Sequence, residues 1–455
     1  MVVGIIGIVL AFALLLFLTF RNVSTIISAM LSVVVVVLFN GMSLNSALNE
    51  TYVGGIVNII TVLFMMILLG TILGKVYTET GAAVSIADTF IKAFVNRAEG
   101  EKKIRIACAV IIIVSCLFQF GGIDSFIVLF TTFPIVVTMW RRLNLPRRLI
   151  PGMLLCSTGV GACAGAPTVH NVLPMTILGT TSTAAAVPSV IAFLIIEIGA
   201  WMMISTMTIK AVRRGETFTE GNMSPVPDFD ADPTRKLPSF GVALLPLILV
   251  FVLFTICKLN ITFSLALGIV FALILMGKNI KLTDQPEASL WTRITTTINE
   301  GAGMSAKALI EISVIGGLAA VVAATNAFGQ LAGGLMGLPI HPYLIVLISV
   351  FILVALTSSP PAGLSIIIPI FMTSLIAKAG VLGIPAAPEA VHRICSVACL
   401  TFETLPWNGM IVVALGLANI KHKDGYLPMF LASVFFPVVA AIVATLLLMA
   451  FPGLA

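Results

Sequence analysis

Apolar runs of helix-spanning length recur along the whole 455-residue chain, and they constrain its fold more than any other feature. Only 10% of the residues are charged, whereas soluble proteins carry about a quarter. A water-soluble fold cannot hide this much apolar surface, so the bilayer must act as the solvent. The sequence therefore predicts an all-α polytopic membrane protein.

Two kinds of apolar segment can be distinguished. Uninterrupted spanning helices are predicted at about 3–19, 23–39, 56–75, 184–211, 240–257, 260–276, 304–324 and 427–449. Four other segments are interrupted by small residues and proline. They are 104–138, broken at 120–125; 150–183, broken at 164–171; 341–379, broken at 357–363; and 391–420, broken at 403–409. The mixed stretches 78–95 and 325–340 predict interfacial amphipathic helices.

The interruptions recur at a fixed distance along the chain. The separation is 239 residues both from Gly121 to Pro360 and from Pro167 to Pro406. This register predicts two repeats, 1–211 and 239–455, joined by a basic linker at 212–238. In each repeat we expect a re-entrant hairpin (about 104–138 and 341–379) and a crossing helix broken near the bilayer midplane (about 150–183 and 391–420).

The basic residues predict the orientation. With both the N-terminus and the C-terminus outside, 22 of the 25 Lys and Arg residues fall on the cytoplasmic side, and only Lys258, Lys378 and Arg393 do not. Each repeat then makes five crossings, which inverts the second repeat relative to the first, as is common in secondary transporters. We expect a multi-pass protein of the cell inner membrane, with the linker 212–238 in the cytoplasm.

Broken helices at bilayer depth make binding sites. Their half-helix N-termini suit a carboxylate, and their exposed carbonyls suit a cation. The predicted substrate-binding residues, glycines and neutral hydrogen-bonding groups for the most part, are Gly122, Ser125, Thr168, His170, Asn171, Ser358, Ser359, Ala362, Gly363, Thr404, Trp407, Asn408 and Gly409. Asp124 and Glu403 are acids at break positions, so each is a candidate carrier of a coupling cation, H⁺ or Na⁺. A helix-capping role is the alternative for each.

Other ionisable residues leave alternatives open. His170 could titrate during transport or hold the break together as a neutral hydrogen-bonding partner. Glu197 and Glu311 lie in unbroken helices, where a contact on a bundle face is favoured over a functional role. Arg393, at the outer start of the fourth segment, could attract anions, cap a helix or form a local ion pair.

The sequence contains no motif for several other classes of function. No metal-ligand spacing, nucleotide-binding loop or nucleophile elbow is present, so we predict no metal, no cofactor and no enzyme activity. The basic residues lie in short loops, which does not suggest nucleic-acid binding. A passive channel or facilitator for small anions is the alternative to a secondary transporter, although inverted repeats favour alternating access.

Several short motifs resemble the gluconate permease family. They are Val391-His392-Arg393-Ile394, Leu405-Pro406-Trp407-Asn408-Gly409 and His422-Lys423-Asp424-Gly425-Tyr426, with Gly121-Gly122, Arg148-Leu149-Ile150-Pro151-Gly152, Pro167 and Asn171 in the first half. The resemblance covers nearly the whole chain and is closest to the hydroxybutyrate-type branch. It implies a homodimer of the ion-transporter superfamily, working by an elevator motion of about 104–211 and 341–455. The implied substrates are small hydroxy- and sugar acids such as gluconate, usually moved with protons.

The chain departs from its relatives at two places. Sodium-coupled dicarboxylate relatives carry Ser-Asn-Thr at both hairpin tips, whereas these tips read Gly122-Ile123-Asp124-Ser125 and Ser358-Ser359-Pro360-Pro361. Trp407 and Glu403 stand where the branch has His and Asp. The Trp407 ring could shape the pocket for a smaller or more apolar acid, or merely pack.

Overall fold

The computed structural model describes residues 2–21, 23–123, 125–221, 223, 236–282, 287–336, 339–357, 360–361, 363–364, 368, 387–406 and 408–455. Five residues assigned to the site from the sequence lie outside this part of the chain. They are Asp124, Ser358, Ser359, Ala362 and Trp407.

Helices make up the regular structure of the described residues. Those of the first half are α1 Val2–Phe20, α2 Thr25–Asn40, α3 Leu44–Glu79, α4 Ala82–Phe90, α5 Gly100–Phe120, α6 Ser125–Arg142, α7 Ile150–Leu154, α8 Val169–Leu178 and α9 Ala186–Arg213. Those of the second half are α10 Phe240–Ile256, α11 Ile261–Met276, α12 Leu290–Ala323, α13 Asn326–Met336, α14 Pro342–Thr357, α15 Pro388–Ala398, α16 Gly409–Ala418 and α17 His422–Ala450.

The lengths of these helices confirm the predicted fold class. Within the described residues, six helices are long and apolar enough to cross a membrane. A bent pair, Pro388–Thr404 with Gly409–Ala418, would make a seventh span, with a bend of 51° at the break. The chain is an all-helical, multi-pass membrane protein. The inverted relation of its two halves and its orientation stay predictions.

Two helices begin earlier than predicted. Helix α3 starts at Leu44 rather than near 56 and contains a π-helical turn, Ala47–Tyr52. Polar residues at the N-terminal end of α3 bond to each other on the surface. Ser46 Oγ donates to the Glu50 carboxylate at 2.7 Å. Helix α12 starts at Leu290 rather than near 304, and Ser289 caps it. The polar N-terminal ends of both helices lie outside the apolar stretch on which the prediction rested.

Small residues bring α3 and α12 close together. A Cβ atom added to Gly55 would lie 2.6 Å from Ala320 Cβ and 2.9 Å from Gly317 Cα. A Cβ atom added to Gly301 would lie 2.8 Å from Ile72 Cα. Small residues of this kind let two backbones approach closely where hydrocarbon gives no hydrophobic driving force. The two long helices therefore form one packed pair.

The segment after α9 is tied to the turn before α7 by an ion pair. Arg148 Nε and Nη2 donate to the two carboxylate oxygens of Glu216 at 2.6 and 2.8 Å. The hydrogen bond from Arg148 holds the pKa of Glu216 below its usual range. The pair therefore stabilises the protein at neutral pH, and this contribution is lost as the pH falls through the lowered pKa.

We expect Glu216→Gln to lower the free energy of unfolding at neutral pH by about 1 kcal/mol or less, because the pair is partly exposed. The difference from the parental protein should shrink in acid, where Glu216 is protonated. Thermal unfolding in detergent across a pH series measures this, with the exposed Glu50→Gln as a control. A difference that stays constant with pH would contradict the assigned pair.

Candidate functional site

The first broken helix is interrupted by a 3₁₀ turn, Thr158–Ala162, and an extended stretch before α8. Gly165 lies in this stretch with φ of 79°, a conformation that favours glycine. Its N–H donates to the Ser182 carbonyl at 2.9 Å, and its carbonyl accepts from Thr255 Oγ1 at 2.6 Å. The break is therefore held from both sides, by the loop before α9 and by α10 of the second half.

The second broken helix is interrupted between α15 and α16. Thr404 Oγ1 donates to the Ser433 carbonyl at 3.0 Å, and the Thr404 carbonyl accepts from Tyr426 Oη at 3.1 Å. His422 Nε2 lies 2.9 Å from the Pro406 carbonyl. Helix α17 thus anchors the break at three points, two of them through residues of the His422–Tyr426 motif.

The two breaks meet at an acid–imidazole contact. His170 Nε2 lies 2.9 Å from Glu403 Oε2, and their side chains are 12% and 10% exposed. Gly161 lies against the same imidazole, since an added Cβ would sit 3.1 Å from His170 Nδ1 and 2.6 Å from Leu400 Cδ2. Two site residues predicted independently, 233 positions apart, are therefore brought together across the halves.

This pair can accept one proton without creating an unpaired charge. With Glu403 ionised and His170 neutral, the imidazole N–H donates to the carboxylate and the pair carries one negative charge. Adding a proton gives either an imidazolium–carboxylate pair or a carboxylic acid bonded to neutral imidazole, and both are neutral overall. Of the two roles predicted for His170, the geometry supports both hydrogen bonding across the break and proton exchange.

Arg393, predicted at the outer start of the fourth segment, lies inside the protein. Its side chain is fully buried, and the residue is 0% exposed. Nε and Nη2 donate to the Ala184 carbonyl at 3.1 and 2.7 Å, and Nη1 donates to the Ala162 carbonyl at 2.8 Å. The guanidinium therefore satisfies one backbone carbonyl in the first break, that of Ala162, and one in the loop before α9, that of Ala184.

Asn171 is also committed to the fold of the first break. Its Nδ2 donates to the carbonyls of Ala166 and Ser182 at 2.9 and 3.0 Å, which leaves Oδ1 to accept. His392 Nε2 lies 3.0 Å from that oxygen, so Nε2 carries a proton and donates, and His392 Nδ1 lies 2.6 Å from Thr180 Oγ1. His392 therefore links α15 to α8 and to the loop that follows it.

The other predicted site residues differ in their surroundings. Thr168 is 7% exposed, and its hydroxyl has no hydrogen-bond partner among the described residues. Asn408 Oδ1 accepts from the Met410 N–H at 2.7 Å, which makes Asn408 the N-cap of α16. Gly409 faces open space, because an added Cβ would meet nothing within 4 Å.

The first hairpin tip is packed against the second half. Gly122 has φ of 84°, and a Cβ there would lie 2.5 Å from Leu265 of α11. Ser125 Oγ donates to Gln119 Oε1 at 3.1 Å. At the second hairpin, Gly363 lies against Val354 of α14. Neither Gly122 nor Ser125 has a recorded contact with the His170–Glu403 pair.

We expect Tyr426→Phe to lower the free energy of unfolding by about 1 kcal/mol, because it removes one hydrogen bond to a backbone carbonyl of the second break. Thermal unfolding in detergent measures the change. Tyr343→Phe, which removes a tyrosine hydroxyl at the start of α14, is the variant for comparison. Equal stability of Tyr426→Phe and the parental protein would show that the hydroxyl does not anchor the break.

Apolar spans with broken helices are typical of membrane transport proteins. The chain belongs to the GntP family of permeases, whose family model matches residues 2–387. It is 25% identical over 460 residues to the uncharacterized transporter YxjC of Bacillus subtilis strain 168, covering 93% of this chain and 94% of that protein. The crystal structure of the Alcanivorax borkumensis YdaH transporter, described as having an unusual topology, matches with a TM-score of 0.46 and 16% identity, covering 90% of this chain and 89% of that one.

Proposed function

We propose that this membrane transporter is a proton-coupled symporter of small organic acids, such as hydroxy-monocarboxylates or gluconate-type sugar acids. The observation that carries the proposal is the His170–Glu403 contact of 2.9 Å between the two broken helices. A pair that gains one proton without leaving a buried charge unpaired is suited to carrying the coupling ion.

The substrate side of the proposal rests on the half-helix ends beside this pair. Helices α8 and α16 both begin at a break, so their first N–H groups and dipoles favour a carboxylate. The unpaired Thr168 hydroxyl precedes α8, and Gly409 leaves room at the start of α16. We assign the remaining predicted residues of the hairpin tips, with Asp124 as a further cation carrier, to the same site.

The movement we propose is an elevator-type change between outward and inward access in a homodimer. The hydrogen bonds of Arg393, His392 and Glu403 join the two broken helices to each other. Segments joined in this way would move together against the packed pair α3 and α12. We propose the inner membrane as the location, with both ends of the chain outside and the linker 212–238 in the cytoplasm.

Uptake by the purified protein in liposomes tests the function. Labelled gluconate and 3-hydroxybutyrate serve as probes, with an imposed pH gradient, an imposed sodium gradient or neither. Accumulation driven by the pH gradient is the expected result. Accumulation driven by sodium alone would overturn proton coupling, and currents that scale with voltage without saturation would overturn the symporter in favour of a channel.

A further inference from the structure

A second buried acid lies behind the first break. Glu197 of α9 is 7% exposed, and its Oε1 accepts the Gly159 N–H at 2.9 Å. Its Oε2 is buried and has no hydrogen-bond partner among the described residues. The carboxyl therefore contacts the 3₁₀ turn Thr158–Ala162 through a single backbone donor. An added Cβ at Gly159 would sit 2.6 Å from Oε1, so the turn and the carboxyl touch directly.

The ionisable groups facing Glu197 are thiols. Cys116 of α5 lies beside the carboxyl, and Cys156 and Cys163 flank it before and after the turn. Helix α17 also packs against α9, but it contains no ionisable residue from Leu427 to Ala450.

The neighbouring arginines donate to groups other than Glu197. The guanidinium of Arg393 on α15 is bonded to backbone carbonyls, as described above. Arg105 of α5 reaches Ser205, about two turns further along α9. Among the described residues, an ionised carboxylate at Glu197 would have the Gly159 N–H and the weak donor of the Cys116 thiol beside it, which leaves its charge costly at bilayer depth.

A chain of polar groups connects this carboxyl to the first hairpin tip. Ser125 donates to Gln119, and Gln119 Nε2 donates to Ser157 Oγ at 2.8 Å and to the Ser157 carbonyl at 3.0 Å. Ser157 is followed by Thr158, whose buried hydroxyl has no hydrogen-bond partner among the described residues, and then by Gly159. Hydrogen bonds therefore connect the tip of the hairpin to Ser157, two residues before Gly159, whose N–H donates to Glu197.

We propose that Glu197 is a second proton-binding site of the transport cycle, occupied by a proton in this conformation and connected to the hairpin tip through Ser157, Gln119 and Ser125. The proposal rests on the proposed function and adds a residue to it. Oε2 holds the proton, and a rearrangement of the Thr158–Ala162 turn that offers it further donors releases the proton as a free H⁺. No other bond is made or broken.

Infrared spectroscopy of the purified protein tests the protonation without any substrate. A buried, protonated carboxyl gives a carbonyl stretch apart from the amide and carboxylate bands. We expect the parental protein to show this band at neutral pH, Glu197→Gln to lose it, and the exposed Glu50→Gln to keep it. A spectrum unchanged in Glu197→Gln would overturn the proposal.

Transport measurements then test the role of the site. With gluconate and 3-hydroxybutyrate as probes, Glu197→Gln should lose accumulation driven by a pH gradient and retain exchange of labelled for unlabelled acid, which needs no net proton movement. Full accumulation by Glu197→Gln would overturn the proposal. If the parental protein accumulates neither acid, the proposed function fails, while the infrared result still decides whether Glu197 holds a proton.

Discussion

Glu403→Gln should strongly reduce uptake driven by a pH gradient while leaving the protein folded. The amide still bonds to His170, so we expect the free energy of unfolding to change by about 1 kcal/mol or less. The pair can no longer exist as carboxylate and neutral imidazole, so the proton-free state with one negative charge is lost. Accumulation of an organic acid should fall by on the order of tenfold or more, equivalent to at least about 1.4 kcal/mol of coupling.

A comparison with Glu403→Ala separates coupling from structure. Alanine removes the partner of a largely buried imidazole, so we expect a cost of about 1–3 kcal/mol in stability as well as the loss of uptake. His170→Gln keeps a hydrogen-bonding group next to Glu403 and should resemble Glu403→Gln in transport. Proton-driven accumulation at the parental level by Glu403→Gln would remove this pair from the coupling mechanism.

Arg393→Met should markedly lower the free energy of unfolding. The Ala184 carbonyl would lose both of its bonds to the guanidinium, and a buried, unpaired carbonyl costs about 1–3 kcal/mol. The Ala162 carbonyl would keep its bond from Ser189 Oγ at 2.7 Å. Thermal unfolding in detergent measures the change, and Arg393→Lys should recover only part of it, since an ammonium group lacks the planar fork.

The control for Arg393 is an arginine on the surface. Arg141 pairs with Glu220 through two hydrogen bonds, and both side chains are exposed. Arg141→Met should cost less than about 1 kcal/mol. If the two methionine variants unfold at the same temperature, the buried guanidinium does not hold the first break together.

Glycine and proline in otherwise uniform apolar runs predict that the helices are interrupted, but helix α7 already ends at Leu154, before the predicted break at 164–171, and residues 358, 359 and 362 of the third predicted break lie outside the described residues. The contacts across the breaks could not be predicted. The bond between His170 and Glu403 joins residues far apart in sequence, and a single sequence carries no signal for such pairing. Each residue was predicted for its own chemistry and its own break.

Arg393 shows a second limit of sequence reasoning. From the sequence, Arg393 could attract anions, cap a helix or form a local ion pair, and its complete burial was not predicted. Its burial depends on which backbone carbonyls the first break leaves unpaired, and only the folded backbone determines that. From the sequence, His422 and Tyr426 were only members of a motif. In the structure their side chains bond to the carbonyls of Pro406 and Thr404, which explains why those residue types stand there.

The position of Arg393 in the chain has a consequence for how the protein is made. It follows Ala184 by 209 residues and Ala162 by 231 residues, so the ribosome completes nearly the whole protein before these carbonyls meet their donor. The Ala162 carbonyl has Ser189 Oγ as an earlier donor, but until then water must solvate the Ala184 carbonyl, because hydrocarbon cannot. During membrane insertion we therefore expect the loop before α9 to stay hydrated until α15 arrives, so that a nascent chain stopped before Arg393 exposes this loop to water.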